Sequence, residues 1–365
     1  MLATLSSSET LVSPDSLKVS LEAGLFTDGN PACVHTLKNK QGMTVSFMDI
    51  GATWVSCQVP TSEGKREVLL GMKKLEDYQS HSAFLGATIG RFANRIAKGK
   101  FSLNGQDYRI TINNNDNSLH GGIDGFDKRR WSVKEHSESH ITYNLTSPDG
   151  DQGFPGSLTV EVAYTLTENN QLCIEYSALC DQDCPINLTN HAYFNLDGAE
   201  SGNTILGHEL MLLANEYLPT DEQLIPTGEL RPVDGTSFDF KTTRPIRDRL
   251  LEDDDQKTAK GYDHALTLPS ELTDGISPIA QLTSSDKLVT MSVFTDKPAI
   301  QFYSGNFLGG TPSRQGEYND YQGIALETQF LPDCPNHPEW PAENKGFIAK
   351  KTFYQYQTSY QFEAQ

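Results

Sequence analysis

The sequence predicts an all-β fold, a large antiparallel β-sandwich with few short helices, and two observations lead to this prediction. In SLTVEVAYTL (residues 157–166) every second residue is apolar or aromatic, and most of the chain shows this period of two, which is typical of strands with one buried face. Twenty-nine glycines and eighteen prolines interrupt the chain at turn spacing. No internal repeat or linker divides the 365 residues, so we expect a single domain over residues 1–365.

Turn residues between alternating stretches predict two hairpins. Residues 158–166 and 172–178 alternate on either side of a polar turn at residues 168–170, which indicates a hairpin with one buried face. Asn104-Gly105 separates KFSL from QDYRITI. Because both turn residues accept positive φ, we expect a second, tighter hairpin at this point.

The remaining chain supplies further strands and one acidic stretch. Residues 42–59 and 287–305 show the same alternation and predict strands. Acidic residues cluster within residues 250–257. They lack the glycine and the distal glutamate of a calcium-binding loop, so we expect a solvated surface loop there.

Charge and composition exclude several classes of partner. The chain carries 29 Lys and Arg against 48 Asp and Glu, a formal charge of −19. This balance repels a phosphate backbone and an anionic membrane surface, so we expect neither nucleic acid nor membrane as a partner. The sequence has no apolar stretch of membrane-spanning length and no signal-peptide pattern. We therefore expect a cytoplasmic protein with six reduced, mostly buried cysteines.

Polar side chains cluster in six short segments against this β background. They include donors, acceptors and titratable groups at sites where strands end or turn. The segments and their candidate residues are GRFANRIAKG with Asn94 and Arg95, NSLHGG with His120, NLTNHAYFNLDG with His191 and Tyr193, GYDHAL with Asp263, IQFYSGNFLGG with Gln301, and IALETQFLPD with Glu327.

His191 lies among amides, hydroxyls and aromatic rings. Asn190 and Asn195 supply donors and acceptors, while Tyr193 and Phe194 supply flat apolar surfaces. This mixture suits a ligand that is polar at its edge and apolar on its faces, such as a sugar ring. Taken alone, the segment also fits a strand with a buried, hydrogen-bonded core histidine, which is the commoner case.

Glu327 follows three apolar residues in a predicted strand. A carboxylate there should be partly buried, and burial would raise its pKa toward the range of a general base. An ion pair with an arginine, for which Arg95 is a candidate, explains such a glutamate equally well. The residues alone leave both interpretations open.

Metal and phosphate motifs are missing from the sequence. There is no P-loop, no H-E-x-x-H and no paired C-x-x-C. Cys180 and Cys184 have a spacing that a metal site could use, but no second pair completes it. We therefore expect core thiols at these two positions.

Nine motifs follow one another along the chain: GRFANRIAKG, LHGG, GFDKRRW, DGDQGFPG, NLTNHAYFNL, NEYLP, GYDHAL, QFYSGNFLGG and ALETQFLPDCPNHPEWP. In this order they resemble the motifs of the aldose 1-epimerases, or galactose mutarotases. The residues within the motifs are most similar to those of the bacterial cytoplasmic branch of that family. The resemblance runs over residues 44–365. It implies a β-sandwich that binds a free hexose, D-galactose or D-glucose, in a cleft on one sheet, without metal or organic cofactor.

The resemblance also implies roles for single residues. Glu327 matches the family's catalytic base and His191 its catalytic acid. The base would remove the proton of the C1 hydroxyl while the acid protonates the ring oxygen O5, starting from a carboxylate and an imidazolium. The open aldehyde would then rotate about C1–C2 and close on its other face. The matched substrate-binding residues are Asn94, Arg95, His120, Asp263 and Gln301, of which Arg95 and His120 would stabilise charge on oxygen.

Two other functions remain open at this point. A glycoside hydrolase could use Glu327 and Asp263 as its two carboxylates, at a separation that sequence does not show. A sugar sensor without catalytic activity could share the fold, although it would typically lack the base or the acid. The preference between glucose and galactose, and the choice between a monomer and a homodimer, are not encoded in any motif.

Overall fold

The computed structural model describes residues 12–365. Within this part of the chain, three short α-helices are present: α1 (Pro14–Glu22), α2 (Leu75–Ser80) and α3 (Asp254–Ala259). Helix α1 begins where Ser13 Oγ accepts a hydrogen bond from Ser16 N at 3.1 Å, which satisfies one of the unpaired N–H groups of a helix start. No helix of residues 12–365 is long and apolar enough to cross a membrane.

Strands form the rest of the regular structure. In the first half of the chain they are β1 (Val34–Lys38), β2 (Thr44–Met48), β3 (Thr53–Thr61), β4 (Gly64–Glu67), β5 (Thr88–Ile89), β6 (Arg95–Ile96), β7 (Lys100–Leu103), β8 (Gln106–Arg109), β9 (Ser118–Leu119), β10 (Ser132–His136), β11 (His140–Ser147), β12 (Leu158–Leu166), β13 (Gln171–Cys180) and β14 (Cys184–Pro185). In the second half they are β15 (Thr189–Asn190), β16 (Tyr193–Phe194), β17 (Glu209–Leu212), β18 (Glu216–Tyr217), β19 (Arg231–Pro232), β20 (Phe240–Pro245), β21 (Asp263–Thr267), β22 (Pro278–Thr283), β23 (Val289–Thr295), β24 (Ala299–Tyr303), β25 (Ile324–Gln329), β26 (Phe347–Ile348) and β27 (Phe353–Ala364).

Two antiparallel sheets dominate the architecture. The larger has nine strands in the order β10-β11-β12-β13-β27-β23-β22-β17-β20, and the smaller has six in the order β16-β25-β24-β21-β18-β19. One continuous apolar cluster contains side chains of both sheets, among them Tyr164, Tyr360, Phe302 and Leu326. The prediction of a large antiparallel β-sandwich with few short helices is therefore confirmed.

Both predicted hairpins form. In the first, β12 pairs with β13 in a register that sets Leu158 opposite Cys180, and alternate residues of β12 are buried. In the second, Asn104 and Gly105 have φ of 53° and 78° between β7 and β8. The second strand of this hairpin ends at Arg109, earlier than the alternation predicts, and Ile112 is exposed.

The prediction of a loop in the acidic stretch is wrong, because α3 lies there. Asp254 and Asp255 occupy its first turn, where carboxylates interact favourably with the free N–H groups. Gln256 and Ala259 are buried, and Gln256 Nε2 donates to Ser237 Oγ at 2.7 Å. Tertiary packing therefore holds a turn of helix in a stretch whose composition suggests a solvated loop.

Candidate functional site

Three neighbouring strands of the six-stranded sheet place the central polar groups in one row. Ala265 on β21 pairs with Gln301 on β24, and Gln301 pairs with Glu327 on β25. Because residues directly opposite each other share a face of the sheet, Gln301 and Glu327 lie side by side. Asp263 lies two residues before Ala265, on the same face of β21. Gln301 Nε2 donates to Asp263 Oδ1 at 2.7 Å.

The residues on the other side of the same strands explain why this face is polar. Ile300, Phe302 and Leu326 alternate with the polar side chains and belong to the main apolar cluster. A strand sends successive side chains to opposite faces. Burial of the apolar set in the core therefore directs Gln301 and Glu327 to the other face, where both remain buried.

His191 reaches this row from a separate piece of chain. It lies between β15 and β16, where His191 N donates to Ala87 O and Gly86 N donates to His191 O, both at 2.9 Å. Its ring stacks between Phe84 and Tyr193, with centroid distances of 5.9 and 4.8 Å. His191 Nε2 lies 3.5 Å from Glu327 Oε1. The structure thus brings the two predicted catalytic residues together.

The proposed Glu327–Arg95 ion pair does not form. In the described residues 12–365, the ionisable group in contact with Glu327 is the imidazole of His191, which is charged only when protonated. Arg95 instead donates from Nε to Asn114 Oδ1 at 3.1 Å. The interpretation of Glu327 as half of an arginine ion pair is therefore wrong.

Burial shifts the pKa of both members of the pair, in opposite directions. Loss of solvation raises the pKa of Glu327 well above its usual value, and the neighbouring carboxylate of Asp263 adds to this effect. Loss of solvation lowers the pKa of His191 to about 4. Both shifts have the sign expected for buried groups, because burial disfavours the charged form of each. The protein alone therefore favours a neutral His191, and the imidazolium that the resemblance implies for the start of the reaction stays a prediction.

Asn94, Arg95 and His120 form one corner of the site. Strand β6, which begins at Arg95, pairs with β9, which ends at Leu119. Asn94 N donates to His120 Nδ1 at 3.1 Å. The Nδ1 that accepts this bond carries no proton, so Nε2 of the neutral ring carries it. Burial also lowers the pKa of His120, with a further contribution from His191.

Gly121, the residue after His120, allows a close approach of backbone. Gly121 has φ of 88°, and a Cβ there would lie 2.0 Å from Gly90 O. Only glycine avoids this clash. The close neighbour of Gly121 is therefore the backbone of Gly90 and Arg91.

Phe84 and Asn114 belong to the site and were missed in the sequence. Phe84 lies edge-on to His120, with ring centroids 4.6 Å apart, and stacks on His191. Its φ of 56° is unusual for an aromatic residue. A separate cavity of about 190 Å³ has Phe84 as one of its walls and contains neither His191 nor Glu327. Phe84 is part of an apolar loop, and no signal in the chain relates it to the two histidines.

Several polar atoms of the site are buried without a hydrogen-bond partner in the protein. They are Glu327 Oε2, Gln301 Oε1 and His191 Nδ1. Buried polar atoms are nearly always satisfied in folded proteins. Three of them on neighbouring side chains fit a ligand with several hydroxyl groups. Within residues 12–365, no group of three or more His, Cys, Asp or Glu is placed to hold a metal ion.

This fold and this site define a class: β-sandwich proteins with a buried carboxylate–imidazole pair and neighbouring polar side chains for a polar ligand. The aldose 1-epimerase family profile matches residues 34–361. The chain belongs to the aldose 1-epimerase family.

Individual relatives agree with this assignment. An aldose 1-epimerase of Escherichia coli is 49% identical over 343 residues, which cover 93% of this chain and 98% of the relative. A galactose mutarotase of Rattus norvegicus is 40% identical over 302 residues, covering 82% and 86%. The crystal structure of an aldose epimerase homologue from C. elegans superimposes with a TM-score of 0.83 at 29% identity, covering 91% of this chain and 99% of that one.

Proposed function

We propose that this protein interconverts the α and β anomers of free hexoses, D-galactose and D-glucose, by opening the ring, rotating about C1–C2 and closing again. The observation that carries the proposal is the buried pair of Glu327 and His191, 3.5 Å apart, in a chain of the aldose 1-epimerase family. Ring opening of a hemiacetal needs one proton removed and one delivered. A carboxylate next to an imidazole can do both.

In this proposal Glu327 is the base and His191 the acid. Burial favours the neutral forms of both groups. A C1 hydroxyl donating to the unpartnered Glu327 Oε2 would favour the carboxylate, because a hydrogen bond to the charged form lowers a pKa. Transfer of the carboxyl proton of Glu327 to the adjacent His191 gives a carboxylate and an imidazolium. The carboxylate then accepts the C1 proton, and the imidazolium delivers its proton to O5 as the C1–O5 bond breaks. Reclosure on the other face reverses both transfers.

The other residues would bind and orient the sugar. Asp263 and Gln301, which are hydrogen-bonded to each other, offer oxygen acceptors for hydroxyl groups. Arg95 and His120 Nε2 offer donors for the oxygen on which charge develops. Tyr193 supplies an aromatic face beside His191, and an apolar face suits the C–H groups of a sugar ring. Asn94 holds the ring of His120 through its backbone N–H.

Polarimetry tests the function directly. Freshly dissolved α-D-galactose is followed with and without the protein, and the decay of optical rotation is expected to be faster with it. Boiled protein at the same concentration controls for buffer catalysis. Identical decay curves with and without folded protein would end the proposal.

The two alternative functions have less support. Retaining and inverting hydrolases rely on two carboxylates. Asp263 lies near enough to Glu327 to raise its pKa, but the ionisable group in direct contact with Glu327 is the imidazole of His191. A sugar sensor would need neither member of the pair, and this chain has both. Release of the aglycone from an aryl galactoside would favour the hydrolase over the epimerase.

The pH dependence of kcat/KM should reflect the combined protonation state of Glu327 and His191. With the pKa of His191 lowered to about 4 and that of Glu327 raised, the two groups share one proton from about pH 4 up to the raised pKa of Glu327. Below this window both are protonated and no base remains, and above it neither carries a proton and no acid remains. We therefore expect kcat/KM, corrected for spontaneous mutarotation, to have its acid limb near pH 4, the lowered pKa of His191. An acid limb at pH 6.5, the usual value for histidine, would contradict the pairing, provided that circular dichroism shows folded protein at each pH.

The substrates are proposed to be free hexoses and not hexose 6-phosphates. The consecutive basic residues Lys128, Arg129 and Arg130 are the cluster that could bind a phosphate. Lys128 ends a 3₁₀ turn at Phe126–Lys128, and Arg129 and Arg130 follow this turn. Arg129 is bidentate to Asp151 at 2.7 Å, and Arg130 pairs with Asp28 at 2.6 Å. Carboxylates therefore already occupy the two guanidinium groups.

We accordingly expect kcat/KM for glucose 6-phosphate to be lower than that for glucose by about tenfold or more. Desolvation of a phosphate dianion near Asp263 and Glu327 opposes its binding. Coupled assays of the two anomers measure both substrates, and 6-deoxyglucose controls for loss of the 6-hydroxyl without added charge. Equal kcat/KM for the free and the phosphorylated sugar would show that the chain is not restricted to free hexoses.

We also propose the cytoplasm as its location. All six cysteines are free, and four of them, Cys57, Cys180, Cys184 and Cys334, are buried. Unpaired cysteines are the rule in reducing compartments. The oligomeric state, monomer or homodimer, is left to measurement by light scattering.

A further inference from the structure

A lysine is buried directly behind the two proposed catalytic residues. Lys297 lies in the turn between β23 and β24 and is 0% exposed. Its Nζ donates to Leu188 O and, at 3.4 Å, to Thr328 O. Leu188 precedes the strand that leads to His191, and Thr328 follows Glu327 directly in β25. The ammonium group therefore connects the segment of the acid with the strand of the base.

The two segments are not joined as a sheet at this point. Strand β15, just before His191, pairs with β5, whereas β25 pairs with β24 and, further along, with β16. Side chains bridge the seam between residues 187–190 and 327–330. Thr189 Oγ1 donates to Thr328 O at 2.8 Å, and Asn187 Oδ1 accepts from Phe330 N at 2.9 Å.

Lys297 has no other polar partner for its ammonium group in the described chain. Its Nζ lies 4.0 Å from the centroid of the Tyr176 ring, and the neighbouring Asp296 accepts a hydrogen bond from Gln357 N. Burial lowers the pKa of Lys297 to about 7, and a buried amino or ammonium group is costly unless it is hydrogen-bonded. Here its hydrogen bonds go to two backbone carbonyls on opposite sides of the seam. Packing alone would be served as well by an apolar side chain of the same length.

We propose that Lys297 is a positioning residue, which holds the segment of His191 and the strand of Glu327 at the separation that proton transfer requires. The proposal rests on the proposed function of this pair. Proton transfer depends steeply on the distance between acid, base and substrate. Removing the bridge would therefore change the rate of the chemical step more than the binding of the sugar.

The primary test is Lys297→Met, which keeps the length of the side chain and removes its donors. We expect kcat to fall about 10- to 100-fold with little change in KM, measured at a temperature where circular dichroism shows folded protein. Val160→Ala is the matched control, because Val160 is a fully buried core residue of β12 and its truncation destabilises the protein without touching the seam. Wild-type kcat in Lys297→Met, or a loss no larger than that of Val160→Ala at equal melting temperature, would overturn the proposal.

A second pair of variants tests the same proposal if Lys297→Met does not fold. Thr189→Val removes the hydroxyl bridge to Thr328 O, and Thr189→Ser keeps it. We expect a lower kcat and a nearly unchanged KM for the valine variant. The serine variant should retain most of the wild-type kcat. Equal kcat in the two variants would count against a positioning seam.

An NMR titration separates this inference from the proposed function. The pKa of His191 is measured in the wild type and in Lys297→Met without any sugar. A looser seam admits water, so the pKa should rise from about 4 toward 6.5 in the variant. An unchanged pKa overturns the role of Lys297 whether or not the wild type is active, whereas an inactive wild type contradicts only the proposed function.

Discussion

Replacing Glu327 with glutamine is expected to lower kcat for mutarotation by about 10²- to 10⁴-fold. The substitution keeps the shape of the side chain and removes the group that accepts the C1 proton. Its fold should survive, because Glu327 is buried with a raised pKa, and a neutral amide suits such a position better than a charge. Polarimetry gives kcat, and circular dichroism gives the folded fraction.

Glu67→Gln is the matched control for this variant. Glu67 is another buried carboxylate, and it accepts hydrogen bonds from Ser56 Oγ and Cys57 N away from the His191–Glu327 pair. Loss of its charge should affect stability and leave most of the activity. If Glu327→Gln kept more than about a tenth of the wild-type kcat, Glu327 would not be the base.

The second large effect is expected for His191→Ala. Without the imidazole, no side chain delivers a proton to O5, and kcat should fall by about 10²- to 10⁴-fold. The free energy of unfolding should also decrease, because the ring fills the space between Phe84 and Tyr193. Rates are therefore compared well below the melting temperature of the variant.

His208→Ala distinguishes loss of an acid from loss of a buried ring. His208 is buried like His191, and burial lowers its pKa to about 4 as well. Its Nε2 accepts a hydrogen bond from Leu196 N at 2.9 Å, which is a structural contact. Comparable kcat losses in the two alanine variants at matched stability would mean that His191 acts through packing and not as an acid.

Much of the fold could be predicted because its strands carry a local signal. The hairpin of β12 and β13 alternates between buried and exposed positions, and the Asn104-Gly105 turn needs only its two residues. Helix α3 could not be predicted from local sequence signals. Its residues are mostly polar, and burial of Gln256 and Ala259 against the rest of the chain decides that they form a helix.

Some residues of the candidate site could likewise be predicted from the sequence, and others could not. Glu327 and Gln301 could be picked out as polar residues in apolar strands, since each breaks an otherwise apolar stretch. Phe84 could not be predicted as a site residue, because its contacts with His120 and His191 depend on its own positive φ in a loop. Lys297 could not either, since a lysine in a turn is ordinarily exposed, and only the seam behind it explains its burial.

The sequence by itself determined the period-two pattern, the turns and the identity of the chemical groups, because these depend on side-chain type and on neighbours along the chain. Only the tertiary structure decided which of these side chains lie next to each other. Sheet register sets Gln301 beside Glu327, and a separate segment brings His191 within 3.5 Å of that carboxylate. It also decided the protonation of the pair, because the pKa of a carboxyl or an imidazole follows the water and charges around it. Those surroundings are assembled from β5, β15, β24 and β25, which lie far apart in the chain and meet only when it folds.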